Sequence, residues 1–241
     1  MRFNQKIFVA NWKLNKTLTE SKEFCQELKG YTKDQNVLIA PSFVNIHPLK
    51  SHFHELKFGA QNVSSHEQGA YTGEVSASML KDIGVDFCIL GHSERRHVFH
   101  ETDADISMKM KNLIQNDIMP IFCIGETFQQ REQGLTYSTL KMQIDQGLSL
   151  VKNFSKELIV AYEPVWAIGS SLPATPEVAA AAIDFIQKLI IENMPSSSVK
   201  FLYGGSVNAS NIDDFLAQKN IHGVLVGGAS LDLKTFKKFL K

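Results

Sequence analysis

Short runs of apolar residues recur along the chain, and most of them end in residues that favour turns. Eight runs predict β-strands, at residues 7–11, 37–41, 57–62, 87–92, 121–125, 158–163, 200–204 and 223–227. Most of the runs lack alternation of polar and apolar positions, which is typical of strands covered on both faces. Their centres lie about 31 residues apart on average, the length of one strand with its helix and turns. The pattern therefore predicts repeated βα units with parallel strands.

Between these runs the apolar positions follow the period of an α-helix. One helix is predicted to follow Thr102, an N-cap residue with Asp105 at the third helical position. Another is predicted to follow Thr175, with Pro176 as its first residue and Glu177 in its first turn. Helices of this kind would cover the outside of the sheet.

The chain shows no internal boundary between domains. No Gly/Ser-rich linker, block of like charges or shift in composition interrupts it. Eight βα units within one domain of residues 1–241 form most economically a closed (β/α)8 barrel, an α/β fold with eight parallel strands inside and helices outside. An open, doubly wound sheet is the alternative. In a barrel, the site is expected at the C-terminal ends of the strands.

Composition and charge exclude several classes of protein. Apolar residues make up 44% of the chain and charged residues 21%, as in ordinary globular domains. Basic and acidic residues number 25 each, so no overall field attracts nucleic acid or anionic lipid. The apolar runs are far shorter than the roughly 18 residues that span a bilayer, and the first is too short for a signal peptide. We expect a soluble, cytoplasmic protein that binds neither nucleic acid nor membranes.

The cysteines and histidines do not form a recognisable metal motif. Cys25, Cys88 and Cys123 share no CxxC spacing, and we interpret them as reduced core residues. The closely spaced histidines have no Cys or carboxylate partner at a known ligand spacing. No metal and no cofactor is predicted.

Two glycine pairs follow the seventh and eighth predicted strands. Gly204 and Gly205 form the first pair, and Gly227 and Gly228 form the second. Barrels commonly bind phosphate at these two strand ends through backbone N–H groups, which glycine lets a ligand approach closely. A double glycine is also ordinary in turns, but two pairs at these strand ends predict a phosphate site.

Three ionisable side chains are predicted at the same rim. Glu163 precedes Pro164, which keeps its backbone extended, and it is either a base or a salt-bridged structural residue. His92 is followed by Ser93, a candidate N-cap whose helix would keep the imidazole neutral; a structural histidine is the alternative. Lys13 follows the first strand, where it faces the rim or is solvated.

Taken together, these groups suit the removal of a proton next to a carbonyl group. A carboxylate base, a neutral imidazole, a cation and a phosphate cradle predict enolisation of a small phosphorylated molecule. Two alternatives stay open: a barrel that only binds a phosphorylated ligand, and an aldolase-like reaction in which Lys13 forms a Schiff base.

The connection after Glu163 is longer than most βα loops and carries Trp166 and Ile168. We interpret it as a lid that closes over the substrate, with Gly169 offering its N–H to the phosphate. Closure would keep water from an enediolate that can otherwise lose its phosphate. A loop packed permanently against the barrel is the alternative.

Seven segments in order closely resemble the triosephosphate isomerase family. They are NWK at 11–13, GAQNV at 59–63, GAYTGE at 69–74, GHSERR at 91–96, AYEPVWAIG at 161–169, YGGSV at 203–207 and VGGASL at 226–231. The match runs nearly from end to end. The resemblance implies interconversion of dihydroxyacetone phosphate and D-glyceraldehyde 3-phosphate through an enediol(ate), in glycolysis and gluconeogenesis.

The resemblance also implies a role for individual residues. Glu163 is implied as the base, His92 as the neutral electrophile and Lys13 as the cationic stabiliser that also contacts substrate. The remaining implied site residues are Asn11 and Glu94 as supporting polar groups, Asn11 also contacting substrate, and Gly169, Ser206, Gly227 and Gly228 as phosphate-binding positions.

Two further expectations come from the resemblance. The loop that begins at Ser64 and ends at Gly73 is implied to insert into a second subunit and form a homodimer; a mobile surface loop is the alternative.

The lid departs from the family pattern, because Ser171 and Leu172 replace its usual Gly and Lys and Pro173 stiffens the second hinge. We expect turnover with an altered rate of lid motion; a phosphate-binding barrel with impaired turnover is the alternative.

Overall fold

The eight predicted strands form a closed, parallel barrel. A computed structural model describes residues 5–32, 35–151, 157–169, 174–194 and 198–240. The strands are β1 (Ile7–Asn11), β2 (Asn36–Ala40), β3 (Lys57–Ala60), β4 (Phe87–Leu90), β5 (Met119–Ile124), β6 (Glu157–Tyr162), β7 (Ser198–Tyr203) and β8 (Gly223–Val226). Each strand pairs in parallel with the next, and β1 also pairs with β8. The (β/α)8 prediction is confirmed, and the open sheet is wrong.

Helices follow the strands on the outside of the barrel. They are α1 (Leu18–Leu28), α2 (Phe43–His52), α3 (Ala77–Asp82), α4 (Ser93–His97), α5 (Asp103–Gln115), α6 (Phe128–Glu132), α7 (Thr136–Gly147), α8 (Pro176–Asn193), α9 (Ile212–Ala217) and α10 (Leu233–Lys237). Short 3-10 turns lie at Lys29–Tyr31, Val165–Ala167 and Gly228–Ser230. None of the described helices is both long and apolar enough to cross a membrane.

Both sequence-predicted helix starts are confirmed. The Thr102 hydroxyl accepts the Asp105 N–H at 3.2 Å, and the Asp105 carboxylate accepts the Thr102 N–H at 3.1 Å. The Thr175 hydroxyl accepts the N–H of Val178 at 3.3 Å, with Pro176 as the first helical residue. These bonds satisfy N–H groups that have no partner within the helix.

The strands separate two apolar layers, which explains why their sequences do not alternate. Alternate strand residues, such as Val9 and Ile121, fill the barrel interior, while their neighbours pack against the helices. Cys25, Cys88 and Cys123 are free and buried in these layers, as predicted. Burial raises the pKa of Cys25 to about 12, so its thiol stays protonated at neutral pH.

The predicted strands run slightly too far at the site. The strand β4 ends at Leu90 and β6 at Tyr162, so His92 and Glu163 lie just beyond their strands. Both residues therefore belong to connections, whose backbone is free to aim a side chain at the rim. The altered lid residues Ser171, Leu172 and Pro173 lie outside the described residues.

We expect stability to fall as the pH drops below about 6.5, partly through His222. Burial, with Lys200 and Lys6 nearby, lowers the pKa of His222, whose Nδ1 accepts the Phe201 N–H at 3.1 Å. At acid pH the imidazole of His222 therefore binds a proton more readily in the unfolded chain than in the folded chain, which favours unfolding. His222→Asn keeps a hydrogen-bond acceptor but has no group that titrates in this range. The free energy of unfolding of this variant, measured with urea, should therefore fall less between pH 7 and pH 5.5 than that of the unmodified chain. Equal losses in both proteins would contradict this assignment.

Candidate active site

A cavity of about 220 Å³ opens among the residues that follow the strands. Every site residue named from the sequence lines it except Glu94, which instead contacts Lys13 at its edge. The lining residues from that set are Asn11, Lys13, His92, Glu163, Gly169, Ser206, Gly227 and Gly228. Closure of the barrel thus brings residues from both ends of the chain to one small pocket.

Glu163 presents one bound and one unbound carboxylate oxygen. Its side chain is only 2% exposed, and Oε2 accepts the backbone N–H of Ser93 at 2.9 Å. The buried Oε1 has no hydrogen-bond partner among the described residues and lies 3.4 Å from Nε2 of His92. No lysine of the described chain pairs with Glu163, so the salt-bridged alternative is not supported. A buried carboxylate oxygen without a donor can receive a proton from a ligand.

His92 caps the helix that follows it, in place of the predicted Ser93. The helix α4 begins at Ser93, and Nδ1 of His92 accepts the N–H of Glu94 at 3.2 Å. The Glu94 carboxylate lies farther from Nδ1, at 3.6 Å. Nδ1 is the acceptor in this bond, and Nε2 is the ring nitrogen that faces Glu163. The predicted cap residue was wrong.

Lys13 has an unusual backbone that its neighbours hold in place. Its φ is +52°, in the left-handed region that residues other than glycine rarely adopt. Its N–H donates to Asn11 Oδ1 at 3.1 Å, and its carbonyl accepts Gln61 Nε2–H at 2.9 Å. Its ammonium donates to Glu94 Oε1 at 2.6 Å. Sequence reasoning missed Gln61, although its place after β3 in the GAQNV segment was a usable signal.

Three glycines make room for Glu163 and Lys13. A Cβ on Gly204 would lie 2.7 Å from Cγ of Glu163, and one on Gly125 would lie 1.8 Å from the Glu163 carbonyl oxygen. A Cβ on Gly227 would lie 3.1 Å from Cε of Lys13. Gly204, interpreted from the sequence as part of a phosphate loop, is therefore also required by the carboxylate. The need for glycine at position 125 was missed, because it arises from contact between the connection after β5 and the connection after β6.

Gly204→Ala should lower kcat by about 10²-fold, because the added methyl group displaces Glu163 and misplacement by about 1 Å is that costly. The matched control is Gly30→Ala, since a Cβ on Gly30 has nothing within 4 Å. Steady-state kinetics and thermal unfolding would be measured for both variants. Equal kcat values for the two variants would show that Gly204 does not set the position of Glu163.

The start of the predicted lid is anchored by a buried carboxylate. Glu126 is fully buried and accepts Trp166 Nε1–H at 2.9 Å and the Tyr162 hydroxyl at 3.1 Å. The Arg131 guanidinium stacks on the Trp166 ring, 4.3 Å from its centroid. These contacts hold the described part of the loop and leave both lid interpretations open. Sequence reasoning missed Glu126, because its hydrogen-bond partners Tyr162 and Trp166 lie 36 and 40 residues away along the chain.

Comparison with known proteins agrees with this geometry. The family model described as Triosephosphate isomerase matches residues 6–241. The chain is 42% identical to the triosephosphate isomerase of Mycoplasma mobile, covering 98% of this chain and 99% of that protein. It is 39% identical to the triosephosphate isomerases of Aquifex aeolicus (98% of each chain covered) and Endomicrobium trichonymphae (98% and 97%). The chain therefore belongs to the triosephosphate isomerase family and is an isomerase.

Proposed function

We propose that the cavity converts dihydroxyacetone phosphate and D-glyceraldehyde 3-phosphate into each other, as in glycolysis and gluconeogenesis, with Glu163, His92 and Lys13 as the catalytic residues. The observation that carries the proposal is the 3.4 Å approach of Glu163 Oε1 and His92 Nε2 at the edge of one small cavity. Two groups so close can act on neighbouring atoms of a three-carbon molecule.

The reaction needs only proton transfers between these groups and the substrate. Glu163 removes a proton from the carbon next to the carbonyl group, and His92 donates a proton from Nε2 to the carbonyl oxygen. The enediol(ate) forms. Glu163 then gives its proton to the former carbonyl carbon, and Nε2 of His92 takes a proton from the hydroxyl on the neighbouring carbon, which gives the isomer. The Lys13 ammonium stabilises the negative charge on oxygen, supported by Asn11 and Glu94.

The phosphate group is assigned to the part of the cavity lined by Gly169, Ser206, Gly227 and Gly228, which are its proposed binding positions. The proposed backbone donors are the N–H groups of the three glycines, because the N–H of Ser206 donates to the carbonyl of Ala167 at 3.0 Å. Gly169 has φ +65°, a conformation that suits glycine. Holding the phosphate in this place also lets the lid exclude water from the intermediate.

A coupled assay of glyceraldehyde 3-phosphate consumption tests the proposal. Phosphate binding without turnover would instead favour the binding-only barrel. Covalent trapping by borohydride in the presence of substrate would favour the Schiff-base alternative, in which the Lys13 amine attacks the carbonyl carbon and water leaves. As the ion-paired partner of Glu94, Lys13 is better suited to act as a cation.

A homodimer is part of the same proposal. The loop from Ser64 to Gly73 is exposed from His66 onward, and the Tyr71 ring stacks on the His66 ring at 3.7 Å. Leu14, beside the catalytic Lys13, is 96% exposed, an unusual state for a leucine at a site. Burial of these groups by a second copy explains their exposure in one chain.

Sedimentation at micromolar concentration should therefore give twice the 27.0 kDa chain mass. Tyr71→Asp should shift the equilibrium towards the monomer, because a buried unpaired charge destabilises an interface. A single 27.0 kDa species from the unmodified chain would contradict the dimer.

The cytoplasm is the compartment proposed for this enzyme. Three free, buried cysteines support it, since disulfides are rare in reducing compartments.

A further inference from the structure

Lys16 links two parts of the site from outside the cavity. It follows Lys13 by three residues, in the connection between β1 and α1. Its ammonium donates to the carbonyl of Leu231 at 2.8 Å, at the end of the segment 227–231 that follows β8. The same ammonium lies 4.7 Å from the ring centroid of Phe24 and 5.5 Å from that of Trp12. It is therefore held by cation–π contacts as well as by its hydrogen bond.

The backbone of Lys16 is also fixed in an unfavourable conformation. Its φ is +68°, which glycine adopts at much lower cost than lysine. Its carbonyl accepts a hydrogen bond from Asn45 Nδ2 at 2.9 Å, and Asn45 is itself buried. A strained residue persists where its surroundings determine its position, so Lys16 is a rigid anchor for its side chain.

The segment 227–231 lies near the connection after β1 at one end and is hydrogen-bonded to it at the other. At one end, Gly227 leaves space for the stem of Lys13, with 3.1 Å between an added Cβ and Lys13 Cε. At the other end, Leu231 bonds to Lys16. Gly228, one of the proposed phosphate donors, lies between these two ends and lines the cavity. The hydrogen bond from Lys16 therefore ties the segment that contains Gly228 to the connection that carries Lys13.

We propose that Lys16 is a positioning residue, which holds the phosphate-binding segment 227–231 at the correct distance from Lys13. Lys16 does not line the cavity, so it acts through Leu231 and not on the ligand. The inference rests on the proposed function, because it takes Gly228 as a donor to phosphate. Loss of the contact should weaken the binding of the phosphate group equally in the substrate and in the transition state. Such uniform weakening raises KM and leaves kcat unchanged.

Two variants test the contact in different ways. Lys16→Met removes the donor and keeps most of the stem over the aromatic rings, whereas Lys16→Gly removes the side chain and suits the left-handed backbone. Both should raise KM and the inhibition constant of inorganic phosphate about tenfold, which corresponds to about 1.4 kcal/mol. The value of kcat should stay within about twofold of the unmodified enzyme. Because Lys16→Gly relieves strain, poor folding of Lys16→Met would not prevent the test.

Lys6→Met is the matched control. Lys6 also donates its ammonium to a carbonyl, that of Ile221 at 2.6 Å, and it also joins residues next to β1 and β8. Because Lys6 precedes β1 and Ile221 precedes β8, this bond lies at the N-terminal ends of the strands, at the rim opposite the cavity. Its loss should leave phosphate inhibition unchanged, so it separates a positional effect from a general effect of losing a lysine–carbonyl bond.

Line broadening of the phosphorus-31 resonance of inorganic phosphate measures its affinity without turnover. Affinity in both Lys16 variants equal to that of the unmodified chain or of Lys6→Met would overturn the inference, as would a fall in kcat as large as the rise in KM. If the unmodified chain failed to turn over substrate, the proposed function would fail, while phosphate affinity would still decide the role of Lys16.

Discussion

Glu163→Gln is expected to lower kcat by about 10²–10⁴-fold, the contribution of a positioned general base. The substitution keeps the size of the side chain, and an amide oxygen can still accept the Ser93 N–H that now binds Oε2. The amide NH2 group then stands in the place of the buried Oε1 and cannot take a proton from the substrate. The inhibition constant of inorganic phosphate should stay within about twofold, because the donors to phosphate lie elsewhere in the cavity.

The coupled assay would be run beside Glu192→Gln, the same change at an exposed position of α8. The control should behave as the unmodified enzyme. A kcat for Glu163→Gln equal to that of the control would remove Glu163 from the mechanism, whatever the family of the chain.

Lys13→Met should lower kcat/KM by about 10²–10³-fold, the effect of losing one group that stabilises developing negative charge. The ammonium lies at the cavity and pairs with Glu94 at 2.6 Å. Its removal takes away the cation and leaves the Glu94 carboxylate unpaired beside the substrate. Both the loss of the cation and the unpaired carboxylate weaken the binding of an anionic ligand.

The double variant Lys13→Met/Glu94→Gln separates these two consequences. If the ammonium acts on the substrate, the double variant should remain within about tenfold of Lys13→Met. Recovery of most of the activity would mean that Lys13 serves mainly to neutralise Glu94. Substrate KM and phosphate inhibition, measured with both variants, would show whether binding or turnover is restored.

The barrel could be predicted because each strand and turn is specified by residues next to one another in the sequence, and the same pattern repeats along the chain. Strands buried on both faces produce continuous apolar runs, and the turns between them contain residues that end strands. The bounds shifted by one or two residues, as at β5, which the structure begins at Met119 and the sequence predicted to begin at residue 121. No periodicity marks the last paired residue of a strand, so such shifts are expected.

The site was predictable only where a residue adjoins a strand end. Glu163, His92 and Lys13 could be assigned to one rim, since strand order determines the rim. The contacts of Glu126 and Lys16 could not, because each joins segments far apart in sequence through side-chain geometry. The choice of His92 over Ser93 as N-cap depends on a single φ/ψ pair, which composition does not encode.

Pairing of β1 with β8 has a consequence for how the enzyme is made. The first strand of the barrel finds its second neighbour only when the last strand of the barrel has been synthesised, so the nascent barrel exposes an unpaired strand edge until then. Contacts of such large sequence separation also slow folding. Activity should therefore appear only after β8 has been synthesised and the barrel has closed.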